Sequence, residues 1–290
     1  MEPLPLLDRY LHQLHLPVFA EQYAQVADAA AQANLSYDRF LLLLAEQELA
    51  QRDVLRQRQC IKAARFPVLK ELADFDFGAI PSLNRARILE LARGHYLTQA
   101  ETVLLIGNPG LGKTHIATGL ALAACRQRQR VRFYTAAGLV NELLSAQQAM
   151  QLGRLIGSAL KHQLIVVDEL GFLPLSATGA QLLFQFCSAL HERVALIVTT
   201  NLRFADWVQV FGSESLTAAL LDRLTARAHI LEFVGESFRL RLRQRRDANG
   251  WLNDLPIPGD VTPTPVVGAT ARPAGRAVAP TTGATLPASE

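Results

Sequence analysis

Apolar positions follow three different patterns along the chain. Over residues 4–66 they recur at helical spacing. Leu11, Leu14, Val18 and Phe19 form one candidate buried stripe; Leu35, Phe40, Leu43 and Leu44, then Leu49 and Val54, form a second. The pattern predicts a small all-helical domain of roughly three or four helices. Its last helix should run from near Ser36 to about Ala64, where Phe66-Pro67 interrupts it, because proline disfavours the helical conformation of the residue before it.

Between residues 101 and 235 the pattern changes to short apolar runs alternating with helical segments. Strands are expected at 102–106, 131–135, 164–168, 195–200 and 230–233, and helices at 113–127, 137–150, 179–192 and 215–226. Continuous runs such as Leu164-Ile165-Val166-Val167 suit strands covered by helices on both faces. The prediction is an α/β fold with a parallel sheet. Residues 67–100 read as a connector: Asp74-Phe75-Asp76-Phe77-Gly78 and Pro81-Ser82 favour turns, and Asn84 can cap a helix reaching about Arg93. From about Asn253 the composition narrows to Pro, Thr, Ala, Gly and Val, so a disordered tail is expected. The expected division is a helical domain over 1–66, a connector over 67–100, an α/β domain over 101–250 and the tail over 251–290.

Half of the 290 residues are hydrophobic, enough for a sizeable core. A net charge of +3 permits nucleic-acid binding without requiring it. Cys60, Cys125 and Cys187 form no C-x-x-C pair and read as thiols of a reducing cytoplasm. The start of the chain has no basic segment followed by a long apolar run, so no signal peptide is expected. The longest leucine run stops at Glu46, far short of a membrane span, and a cytoplasmic location follows as the expectation.

The strongest chemical signal is Gly107-Asn108-Pro109-Gly110-Leu111-Gly112-Lys113-Thr114, preceded by a strand pattern and followed from His115 by a helical one. It fits G-x-x-x-x-G-K-[ST], the phosphate loop of nucleotide-binding proteins. Glycines let the backbone curl around an anion, and the helix N-terminus offers positive potential to it. Lys113 can reach the β/γ-phosphate oxygens, and the Thr114 hydroxyl can ligate Mg²⁺. A chance match in a chain of this length is on the order of one in a hundred. Residues 107–115 are therefore the candidate nucleotide-binding stretch.

Leu164-Ile165-Val166-Val167-Asp168-Glu169 is an apolar strand ending in two acids. Asp168 can hold Mg²⁺ beside the glycine loop, and Glu169 can polarise an attacking water. Asn201 ends a second buried strand and can bond the γ-phosphate or the water. Arg223 lies on an otherwise apolar helix, either in an intrachain salt bridge or as an arginine finger for a neighbouring subunit. Arg239 can face the nucleotide of its own subunit, whereas Arg241 and Arg243 can be solvated surface. Arg52, Arg56, Arg58, Lys62 and Arg65 form either a solvated face or a surface for DNA or a partner.

Together these residues resemble the AAA+ ATPases, and more closely the IstB-like helper ATPases of insertion-sequence transposition. The likeness spans roughly residues 14–243. It includes Ala64-Arg65-Phe66-Pro67, Asp74-Phe75-Asp76-Phe77, the glycine loop, Val131-Arg132-Phe133, Asp168-Glu169-Leu170-Gly171-Phe172-Leu173-Pro174, Thr199-Thr200-Asn201-Leu202, Leu221-Asp222-Arg223-Leu224 and Gly235-Glu236-Ser237-Phe238-Arg239. The resemblance implies an ATP-dependent homo-oligomer that binds duplex DNA and cooperates with the transposase of the same insertion sequence. It implies phosphate and Mg²⁺ binding by Lys113 and Thr114, a Walker B pair in Asp168 and Glu169, sensor 1 in Asn201, an arginine finger in Arg223 and sensor 2 in Arg239. ATP, rather than another triphosphate, is implied by the resemblance alone. Asn108 stands where the family usually has proline, and Thr225-Ala226-Arg227-Ala228-His229 departs from a usually His-rich stretch. Arg126, Arg128, Arg130, Arg132 and Lys161 are candidate DNA-backbone contacts.

Two other readings stay open at this level. A DnaC-like helicase loader would share the same core. A nucleotide-switched binding module without turnover would not need Glu169.

Overall fold

The segment before Pro67 forms three helices, α1 (Pro5–Gln13), α2 (Pro17–Gln32) and α3 (Tyr37–Ala64). Their ends follow local chemistry. Pro17 starts α2 with a preset φ, the Ser36 hydroxyl accepts from Arg39 N–H, and Arg65 closes α3 at φ 58. The structure, a computed structural model, describes residues 5–235, 237 and 238. Arg239, Arg241, Arg243 and the 251–290 tail lie outside the described residues, all of which belong to a compact unit spanning residues 1–246.

Leu11, Tyr23 and Leu44 make a small core between these helices, with Val18 buried nearby. Leu14, Leu35, Leu49 and Val54, expected in the buried stripes, are exposed. The second stripe buries Leu44, with Phe40 packed beside it, but not Leu49 or Val54, because a charge occupies the inner face of α3. Glu48 is 4% exposed and accepts from the Val18 N–H at the start of α2 (3.0 Å) and from Arg52 Nε (2.7 Å). A carboxylate there satisfies an orphan donor and faces the positive end of the α2 dipole. The end of α3 serves a different layer: Ala64 is fully buried in the main core, with Cys60, Ile61 and Phe66 packed around it.

That core surrounds a five-stranded parallel sheet. After α4 (Arg85–Ala92) and α5 (His95–Thr98), the chain alternates β1 (Thr102–Gly107), α6 (Lys113–Arg126), β2 (Val131–Thr135), α7 (Ala136–Gln148), α8 (Leu152–Ala159) and β3 (Leu164–Leu170). It continues through α9 (Ala177–Leu190), β4 (Ala195–Thr200), α10 (Val208–Phe211), α11 (Glu214–Thr225) and β5 (Ala228–Phe233). The strand order is β2-β3-β4-β1-β5. Alternate residues of each strand enter opposite layers. Val103, Leu105, Val166 and Ile197 meet α4 and α6, whereas Leu104, Ile165, Val167 and Val198 meet α7, α9 and α11. The sequence pattern placed the strands and the long flanking helices but missed the short α5 and α10, and α8, where Gly153 and Gly157 lower helix propensity. No helix among the described residues is long and apolar enough to cross a membrane.

Three core groups tie stability to pH. Burial pushes the Cys187 and Cys125 thiols up to about 12 from an ordinary 9.0, with the neighbouring Cys60 adding to the shift of Cys125, and burial also raises Tyr96. In the folded chain these groups keep their protons where the unfolded chain loses them. Their contribution is complete below about pH 9 and declines above it, by up to about 1.4 kcal/mol per pH unit for Cys187. Thermal melting should show a midpoint that falls between about pH 9 and 11. A midpoint that rose there would contradict these burials.

Candidate nucleotide-binding site

β1 delivers the chain to the glycine loop at the C-terminal edge of the sheet, and α6 begins directly after it. Gly112 stands at φ 86 as the cap of α6, where a Cβ would lie 2.6 Å from the Phe75 ring. Gly107 has the same need: a Cβ there would lie 2.3 Å from the Phe233 carbonyl oxygen. The loop is thus pinched between β5 and the connector, which leaves room only for glycine. Lys113 Nζ folds back across it, donating to the carbonyls of Gly107 (2.5 Å) and Asn108 (2.8 Å).

The loop opens into a cleft of about 430 Å³. One wall comes from residues that the sequence pattern marked only as turns. Two tight turns, Leu72–Asp74 and Phe77–Ala79, bring Asp74, Phe75 and Asp76 against residues 109–115. His115 lines the cleft but is committed to this wall: its Nε2–H donates to the Glu71 carbonyl (2.7 Å), and Phe75 packs edge-on against its ring (5.3 Å between centroids). An aromatic inside a polar, turn-forming run was the available signal for Phe75.

The opposite wall is built at the ends of β3 and β4. Asp168 is 3% exposed, and its Oδ1 accepts from Thr114 Oγ1 (3.0 Å) and from Thr199 Oγ1 (2.6 Å). The next residue breaks the ladder: the pairing register of β3 with β4 shifts between Val167 and Leu170, and Glu169 takes φ 61. Such a bulge re-aims side chains, and left-handed backbone at a non-glycine costs about 1–3 kcal/mol. Its result is that Asp168 stays buried while Glu169 turns outward into the cleft. Asn201 also lines the cleft, in a turn closed by Leu202 N–H donating to the Thr200 hydroxyl (3.1 Å). One site thus gathers the glycine loop, Lys113, Thr114, Asp168, Glu169 and Asn201. A mobile cation beside a helix N-terminus, with a hydroxyl and a carboxylate adjoining, fits a Mg²⁺-bound triphosphate.

The sequence matches the family described as IstB-like ATP binding protein over residues 9–248. The chain belongs to the IstB-like ATP-binding proteins. It is 35% identical over 241 residues to the Geobacillus stearothermophilus protein named for ATP binding in insertion sequence IS5376, covering 83% of this chain and 96% of that protein. It is 34% identical to the corresponding IS21 protein of Pseudomonas aeruginosa, covering 84% of this chain and 91% of the relative. Among solved structures, the DnaC helicase loader aligns with a TM-score of 0.45 at 18% identity, over 61% of this chain and 99% of that one. DnaI aligns with a TM-score of 0.48 at 17% identity, over 57% and 91%.

In this IstB-like chain Arg223 stands apart from the cleft. It is half-buried near Thr102 and Leu196, at the N-terminal ends of β1 and β4, whereas the glycine loop follows the C-terminal end of β1. Its guanidinium lies over the Phe184 ring (4.7 Å) and donates to the Ala219 carbonyl (3.0 Å). Among the described residues no salt bridge holds it; the aromatic face takes that place. Of the candidate DNA contacts, Arg126 pairs with Glu71 and Arg128 with Asp53, and Arg132 stacks on Tyr134. Arg130 and Lys161 are exposed.

Proposed function

We propose that this protein is an ATPase that helps an insertion-sequence transposase by assembling with copies of itself on duplex DNA. One observation carries the enzymatic part: Thr114 bonds Asp168 beside the glycine loop while a bulge turns Glu169 into the same cleft. Lys113 and the loop amides would hold the triphosphate. Thr114 and Asp168 would hold Mg²⁺, which would offset phosphate charge. Glu169 would orient and polarise the attacking water. Asn201 would bond the γ-phosphate or that water. Arg239 would serve the same nucleotide, as the family resemblance implies.

The names of the relatives that span most of this chain support the transposition setting over helicase loading. The position of Arg223, across the sheet from its own glycine loop, supports action on a neighbouring copy's nucleotide. Arg130 and Lys161 supply exposed positive charge for DNA phosphates, whereas Arg126 and Arg128 would have to exchange one anion for another. Residues 1–66 would offer a DNA- or partner-facing surface, and 101–250 would carry the ATPase.

Sizing the purified protein with a duplex, in ATP and in ADP, tests the reading, alongside ATP turnover with and without DNA. The expected result is a larger, salt-sensitive DNA complex in ATP than in ADP. A single copy indifferent to nucleotide and DNA would sink it.

A further inference from the structure

Thr199 has no assigned part in the site, yet two functional backbone and side-chain groups meet on its hydroxyl. It is 1% exposed on β4 and lies beside Leu105 of β1 in the parallel register. Its Oγ1 donates to Asp168 Oδ1 at 2.6 Å and accepts from Glu169 N–H at 2.9 Å. The second bond matters because of the bulge. The register shift takes Glu169 out of the regular β3–β4 ladder, so its part-buried N–H needs another partner. The hydroxyl supplies that partner and fixes the φ 61 conformation that turns Glu169 outward. The first bond shares Asp168 Oδ1 with Thr114, so the carboxylate is held from two sides. Asn201 follows two residues later on the same chain.

We propose that Thr199 is a positioning residue for ATP hydrolysis, holding Asp168 by its side chain and Glu169 by its backbone. This rests on the reading of the cleft as an ATPase site. Thr199 borders the cleft, but its hydroxyl is committed to the two acids, and it acts through them. Valine has nearly the same volume but neither donates nor accepts. Serine keeps the hydroxyl and loses a methyl group.

The test compares wild type, Thr199→Val, Thr199→Ser and Thr199→Ala, each first shown to melt cooperatively. Binding of a fluorescent ATP analogue is measured with and without Mg²⁺, and turnover at saturating ATP. For Thr199→Val the expectation is binding without Mg²⁺ within about twofold of wild type and turnover about 10–100-fold lower, because misplacing a reacting group by an ångström costs that much. Thr199→Ser should recover turnover to within about threefold, since it restores both bonds. If the valine chain does not fold, alanine takes its place with the same expectation. A valine or alanine chain turning over like wild type, or a serine chain as slow as the valine one, overturns the positioning role and leaves the ATPase reading standing. A folded wild type without turnover overturns both.

Discussion

Glu169→Gln is expected to lower ATP turnover about 10²–10⁴-fold, the range for losing a positioned general base. ATP affinity should stay near that of the wild type. Glutamine keeps the shape and the exposed position of Glu169 but cannot polarise water as a carboxylate does. In the proposed site, binding would depend on other groups, Lys113, the loop amides and the Thr114–Asp168 pair, which the substitution leaves in place. The backbone bond from residue 169 to Thr199 is also kept, so the bulge should survive. The variant should therefore accumulate in its ATP-bound, DNA-holding state. Single-turnover hydrolysis, with analogue binding in parallel, checks this. Turnover unchanged to within a factor of a few would remove Glu169 from the chemistry.

Arg223→Ala is expected to lower turnover on the order of 10³-fold, the lower range for an arginine finger, and to shrink the ATP-dependent assembly. The substitution should leave ATP binding by an isolated subunit intact, because Arg223 lines a different surface from Lys113. The loss of its contact with Phe184 should cost little stability at a half-buried site, about 0.5–1 kcal/mol. Mixing supplies the decisive control. A Lys113→Ala chain offers Arg223 without binding ATP, and an Arg223→Ala chain binds ATP without a finger. At equal amounts about a quarter of head-to-tail interfaces would combine the two intact halves, and activity should reappear. Two inactive chains that stay inactive together would place Arg223 outside a shared site.

The three central strands β1, β3 and β4 were readable because each is a nearly continuous apolar run, which a sheet covered on both faces demands. That Lys113, Thr114, Asp168, Glu169 and Asn201 come together in one cleft was readable because strand ends and a glycine loop announce themselves within a few residues. The buried stripes of the helical segment were readable only in part, at Leu11, Val18 and Leu44, because helical spacing cannot show which face finds a partner. Leu49 is exposed, while Glu48 is buried against the start of α2.

By itself, then, the sequence determined the order of strands and helices, the phosphate loop and the identity of the acids beside it, since all of these rest on local spacing. Tertiary structure alone decided that residues 72–79 wall the cleft, that Arg223 lies across the sheet from Lys113, and that Thr199 binds both acids. These are contacts between segments distant along the chain. Two tight turns, the parallel strand register and one bulge create them, and none leaves a mark in the periodicity of the residues.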